Sequence, residues 1–215
     1  MRVRVLLHSS RRRGAAAWPS ATGDPSYVAL DLAASPERNV DVLERKVPPQ
    51  AVLFAHSAAA VPLALAVRSM RVVPQAVVLV EPALYDAVRG VPSIEHHIEA
   101  VTRARSLATA GDLFGYWSII RPLMFGGPAV ESHWADERRS AESFAAKRPP
   151  WGFGLDAAAL DGVRTVVVTG AWNDEYEVIA DALAQRGASR ARLPGYGHRP
   201  QDHPDFERLV TDLLR

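Results

Sequence analysis

The chain contains no cysteine, which excludes disulfides, thiol nucleophiles and cysteine-based metal sites. It also lacks any apolar run near the roughly 18 residues that span a bilayer, so no membrane partner is expected. Charge of one sign is missing as well. The 25 basic and 24 acidic residues leave a formal net charge of +1, without the basic footprint that nucleic-acid binding requires. No export signal is legible either. Ser10-Arg11-Arg12-Arg13 carries paired arginines, but the stretch after it is too short and broken to act as the apolar core of a signal. The arginines read as a solvated loop and the protein is expected to be cytoplasmic.

What is present is ordinary for a water-soluble globule. Across 215 residues, 48% are hydrophobic and 23% charged, enough for one domain with a sizeable core. Six short apolar runs, at 2–8, 26–32, 51–55, 75–80, 164–169 and 189–193, have strand length, and several are near-continuously apolar. That pattern suits parallel strands covered on both faces. Between them, 37–46, 58–70, 175–186 and 205–214 place apolar residues at helical spacing. Alternating strands and helices imply an α/β fold with a parallel sheet of about six strands and helices on both faces.

One segment breaks the rhythm. Residues 85–162 hold no convincing strand but several amphipathic stretches, at 94–110, 112–120 and 131–147, with a break expected at Arg121-Pro122. An interruption of about 80 residues is too long for a plain loop, so it reads as a helical cap inserted after the fourth strand. The remainder, 1–84 and 163–215, would form the core.

In open α/β sheets, ligands sit at the carboxyl ends of the strands. The polar residues there are few: His8, Ser9, Ser10, Asp31, His56, Ser57, Glu81, Asn173, Asp174, Glu175 and His198. Ser57 stands among small residues in "LFAHSAAA". A helix N-cap is its plainest role, and a nucleophile on a strained strand-to-helix turn is the sharper one. A serine nucleophile needs a base, and His198, in the glycine-punctuated "LPGYGHRPQ" after the last strand, can supply it. His56, one residue earlier on the strand, is expected to point away from Ser57, and His203 to cap or decorate the final helix. Asp174 and Glu81, each at a strand end, can both orient His198.

The order Ser57, Asp174, His198 resembles the α/β-hydrolase superfamily, in its lidded serine-hydrolase form. The resemblance covers nearly the whole chain. It rests on "LLHSS" in place of strand-His-Gly, on "YVALDL", on "AHSAA" in place of Gly-x-Ser-x-Gly, and on "VVVTGAWND" followed by "LPGYGHRPQDHPDFERLVTDLL". It implies a short member lacking the family's first two strands, with an oxyanion hole from the backbone N–H groups of Ala58 and of Ser9 or Ser10. Most members carry the acid on the loop after the fifth strand here, which favours Asp174 over Glu81. Some carry it at the end of the strand that maps onto Glu81. Alanine at 55 and 59 tightens the elbow, Ser9 replaces a glycine beside the oxyanion hole, and Pro62 calls for an irregular first turn in the helix after Ser57.

The expected activity is hydrolysis of an ester or related carbonyl of a small, largely apolar substrate, without cofactor or metal. His8, His56, Trp117 and Met124 are the candidate substrate contacts, and the aromatic-rich insertion sets an apolar pocket. A lyase, cyclase or C–C bond-cleaving enzyme on the same fold remains the alternative, as does a non-catalytic ligand-binding protein. The partner is a small molecule, and monomer and homodimer are equally compatible with the sequence.

Overall fold

The computed structural model describes residues 3–9 and 12–215. Six strands form one sheet, all parallel: β1 (Arg4–His8), β2 (Ser26–Ala29), β3 (Val52–His56), β4 (Ala76–Val80), β5 (Arg164–Thr169) and β6 (Ser189–Arg192). Their order is β2-β1-β3-β4-β5-β6. The chain therefore builds outward one way from β1 and the other way from β3. The reversal between these two strands creates a crevice outside their carboxyl ends, and Ser57 follows β3 directly.

The central strands are buried because both faces are covered. Val77, Val78, Leu79 and Val80 of β4 and Val166, Val167 and Val168 of β5 are fully shielded. Each such side chain contributes roughly 1.5–3 kcal/mol by leaving water. Alternate residues Leu6, Phe54, Val78 and Val166 share one face with Trp18 and with Phe206 and Val210 of the last helix, α7 (Phe206–Leu213).

Helix starts follow local chemistry. In α1 (Pro36–Lys46), Ser35 accepts from the Arg38 N–H and Pro36 opens the first turn, where a missing N–H costs nothing. The helix after Ser57 begins as a 3-10 turn, Ser57–Ala59, and continues as α2 (Ala60–Arg68). This is the irregular start that Pro62 calls for. Asn173 caps α6 (Asp174–Gln185) by accepting from the Glu175 N–H.

The chain divides into two compact units, Met1–Val88 with Pro149–Arg215, and Arg89–Arg148. The residues on either side of the second unit cluster with the sheet. Asp86, for instance, accepts from the Gly152 and Phe153 N–H groups at 2.8 and 2.7 Å. The second unit holds α3 (Pro92–Thr109), α4 (Leu113–Phe125) and α5 (Trp134–Ala145). Pro122 does not break α4, which runs on to Phe125 with the proline in its last turn. Among the described residues, no helix is long and apolar enough to cross a membrane.

Candidate functional site

Ser57 has φ +56°, a left-handed conformation that a side-chain-bearing residue adopts only under constraint. The constraint is the turn from β3 into the helix. Its walls are alanines, with Ala55 and Ala59 fully buried. The Ala58 N–H lies in the first turn of that helix, where backbone donors have no intrahelical acceptor. Ser9 follows β1 and is half-buried, whereas Ser10 and Arg11 lie outside the described residues.

His198 and Glu81 meet. Nδ1 of His198 lies 3.3 Å from Glu81 Oε2. Glu81 ends β4 with φ +47°, which turns its carboxylate inward to full burial. It accepts from the Gly170 N–H on Oε1 and from Trp172 Nε1 on Oε2, the latter at 2.8 Å. Burial pushes this carboxyl up to about 7, opposed by those two donors. Burial and the nearby Arg199 charge push His198 down to about 4. The imidazole is therefore a neutral base, and the Glu81 proton is shed near neutrality.

Asp174 is elsewhere. It is the first residue of α6, exposed, in a turn that also carries Glu175 and Glu177. Negative charge there suits the helix dipole, and it is Asn173 that caps. Of the two carboxylates considered from sequence, the structure brings Glu81 to His198.

His56 reaches the His198 loop. Its Nε2 donates to the His198 carbonyl at 2.7 Å, and the two rings lie 4.6 Å apart. Burial, and then His198, hold the His56 ring well below its ordinary pKa, which leaves it neutral. The loop it supports packs tightly from the other side too. A Cβ on Gly170 would run into the Gly197 carbonyl oxygen, so only glycine lets β5 and the His198 loop approach this closely.

His8 ends β1 half-buried, with its carbonyl taking the Leu30 N–H. Burial, then Arg13, lower its pKa. Arg12 forms an ion pair with Asp202 at 2.8 Å. His203 Nδ1 accepts from the Asp205 N–H just before α7. Trp117 and Met124 both lie on α4 of the second unit. Trp117 is only 3% exposed, donates from Nε1 to Glu137 and packs on Phe125 and Phe144, so it holds that unit's helices together. Met124 is half-buried. Among the described residues, no group of three or more His, Cys, Asp or Glu is arranged to hold a metal ion.

Four residues at the site went unnoticed in the sequence: Gly170, Trp172, Tyr176 and Tyr85. The ring of Tyr176 lies 4.9 Å from that of His198, and the Tyr85 hydroxyl donates to Glu175 Oε2 at 3.0 Å. Trp172 and Tyr176 flank the Asn173 cap in "TGAWNDEY". That spacing puts both in the turn beside the carboxyl end of β5, and it was the available signal.

A family model described as the alpha/beta hydrolase family matches residues 2–207. No curated protein sequence matches significantly. Among solved structures, the chain is similar to a hydrolase from Oleispira antarctica, at 12% identity and TM-score 0.64, covering 100% of this chain and 91% of that one. It is similar to a carboxylesterase structure from Nitrososphaera gargenis, at 13% identity and TM-score 0.60, covering 99% and 90%. A bromoperoxidase from Bacillus anthracis is similar at 13% identity and TM-score 0.62, covering 100% and 92%. Likeness at these identities speaks to the fold, and one fold hosts many reactions.

Proposed function

The chain belongs to the alpha/beta hydrolase family, and within it we propose a serine hydrolase that cleaves an ester or related carbonyl bond of a small, largely apolar molecule. The observation that carries this reading is the contact between His198 Nδ1 and Glu81 beside a serine in left-handed conformation at the strand-to-helix turn.

Ser57 Oγ attacks the carbonyl carbon while His198 Nε2 takes its proton. Glu81, ionised, accepts from Nδ1–H, fixes the tautomer that leaves Nε2 free, and stabilises the imidazolium. The Ala58 N–H, with one from the loop after β1, receives the oxyanion. His198 then returns the proton to the leaving alkoxide, and a water attacks the acyl-serine by the same route. The unit at 89–148 interrupts the βα succession between β4 and β5.

The test is hydrolysis of simple aryl esters by the wild type and by Ser57→Ala. Loss of on the order of 10³-fold or more in kcat is expected, the usual effect of deleting a covalent nucleophile. Activity kept within about a factor of a hundred, with the fold intact, would remove Ser57 from the chemistry.

A further inference from the structure

One oxygen of Glu81 is shared. Oε2 receives the Trp172 indole N–H at 2.8 Å and faces His198 Nδ1 at 3.3 Å, while Oε1 takes the Gly170 N–H. Both donors come from residues 170–172, directly after β5. Ala171, between them, has φ +53°, a left-handed conformation unusual for a residue with a Cβ. Asn173 then caps α6.

Ring burial does not explain where Trp172 sits. An indole is an apolar body with one polar tip, and the tip commonly stays toward water. Trp172 does the reverse. The residue is 42% exposed, yet its N–H bonds to the fully buried Glu81. Its ring stands edge-on to His198, with centroids 5.9 Å apart, so one side chain touches both acid and base. An indole N–H gives a proton and accepts none. It bonds more strongly to a charged carboxylate oxygen than to a neutral one, which favours the ionised form that orients His198.

We propose that Trp172 is a positioning residue: its N–H holds Glu81 Oε2 against His198 Nδ1 and, by favouring the carboxylate, sets the pH above which Ser57 becomes reactive. This rests on the reading of Ser57, His198 and Glu81 as a triad. The other groups near the pair do not supply that bias. Glu177 on α6 adds negative charge that opposes ionisation of Glu81, and it is itself paired with Arg190 and Arg192 on β6. Glu175, in the same turn, takes the Tyr85 hydroxyl. Burial pushes the Tyr176 hydroxyl up, so it stays protonated. Arg199 lowers His198, and His56 is neutral.

The experiment follows the rate of Ser57 labelling by a fluorophosphonate from pH 5 to 10, mapped by peptide mass, in the full chain and its variants. Trp172→Phe keeps a ring and removes the donor. Losing a hydrogen bond to a charged group should raise the midpoint of the profile by about one to two pH units. At pH 7 that is a labelling rate roughly 5- to 50-fold lower, recovering toward the wild-type value as pH climbs to about 10. Trp172→Gln does the opposite. Its amide nitrogen lies as many bonds from Cα as the indole nitrogen, so it restores a donor without the ring. Its midpoint should stay within about half a unit of the wild type. Trp172→Leu, which also lacks a donor, takes over if the phenylalanine variant does not melt like the wild type. An unchanged midpoint in the donorless variant overturns the inference, as does a glutamine variant shifted equally far. So does a wild-type rate that stays flat between pH 6 and 8. Each of these leaves Ser57 as the nucleophile. Wild-type protein that is not labelled at Ser57 overturns the triad reading and the inference with it.

Discussion

Glu81 and His198 stand 117 positions apart in the chain, yet their side chains meet at 3.3 Å. The contact depends on two backbone features. Glu81 adopts φ +47° as β4 ends, and the His198 loop descends onto Gly170, where a side chain would collide with Gly197.

If Glu81 orients the base, Glu81→Gln should lower kcat on an aryl ester by on the order of 10³–10⁴-fold, because an amide cannot stabilise the imidazolium. The melting temperature should fall as well. The glutamine NH₂ would face either the Gly170 N–H or the Trp172 indole N–H, donor against donor. Asp174→Asn should leave kcat nearly unchanged and cost only about 0.3–1 kcal/mol of stability, as a charge lost from a helix N-terminus. Steady-state kinetics with a thermal melt of each variant checks both, and the reverse kinetic pattern moves the acid to Asp174.

The pH profile follows from the same pair. Protonated, Glu81 donates to His198 Nδ1, which puts the imidazole proton on Nε2 and blocks acceptance from Ser57. Since burial holds this carboxyl up at about 7, kcat/KM should rise with pH through about 7. His198, held down at about 4, should contribute no separate limb between pH 6 and 8. The stability signs are opposite for the two groups. Stabilisation from the raised carboxyl is full below its unfolded value and is lost as pH climbs through about 7. Stabilisation from the depressed imidazole is full above about 6.5 and is lost as pH falls through about 4. Rate profiles and melts at several pH values read these trends separately, and a flat kcat/KM from pH 6 to 8 would count against a raised Glu81.

His56 braces the His198 loop by donating to the His198 carbonyl at 2.7 Å. Replacing it with phenylalanine keeps the ring and removes the bond. A loss of about 1 kcal/mol in positioning should lower kcat roughly fivefold with little change in KM, and His56→Gln should recover part of it. A change confined to KM would instead place His56 against the substrate.

Much of this architecture was legible in the residues. Continuous apolar runs such as "AVVLV" announce strands buried on both faces, and all six appear in the sheet. The order of Ser57 and His198 along the chain, with small residues around the serine, pointed to the family before any coordinates. The acid was harder to read, because Asp174 and Glu81 both follow strands and the family resemblance favoured the first. The deciding features are conformational: a positive φ at Glu81, and donors from Gly170 and Trp172 waiting for its carboxylate.

The central claim is that Ser57 is a nucleophile made reactive by His198 and Glu81. The most direct measurement is the mass of the intact protein after treatment with a fluorophosphonate, followed by peptide mapping, for the wild type and for His198→Ala. One adduct per chain is expected, on Ser57, formed orders of magnitude more slowly without the histidine. An adduct on another residue, or none on the wild type, would contradict it.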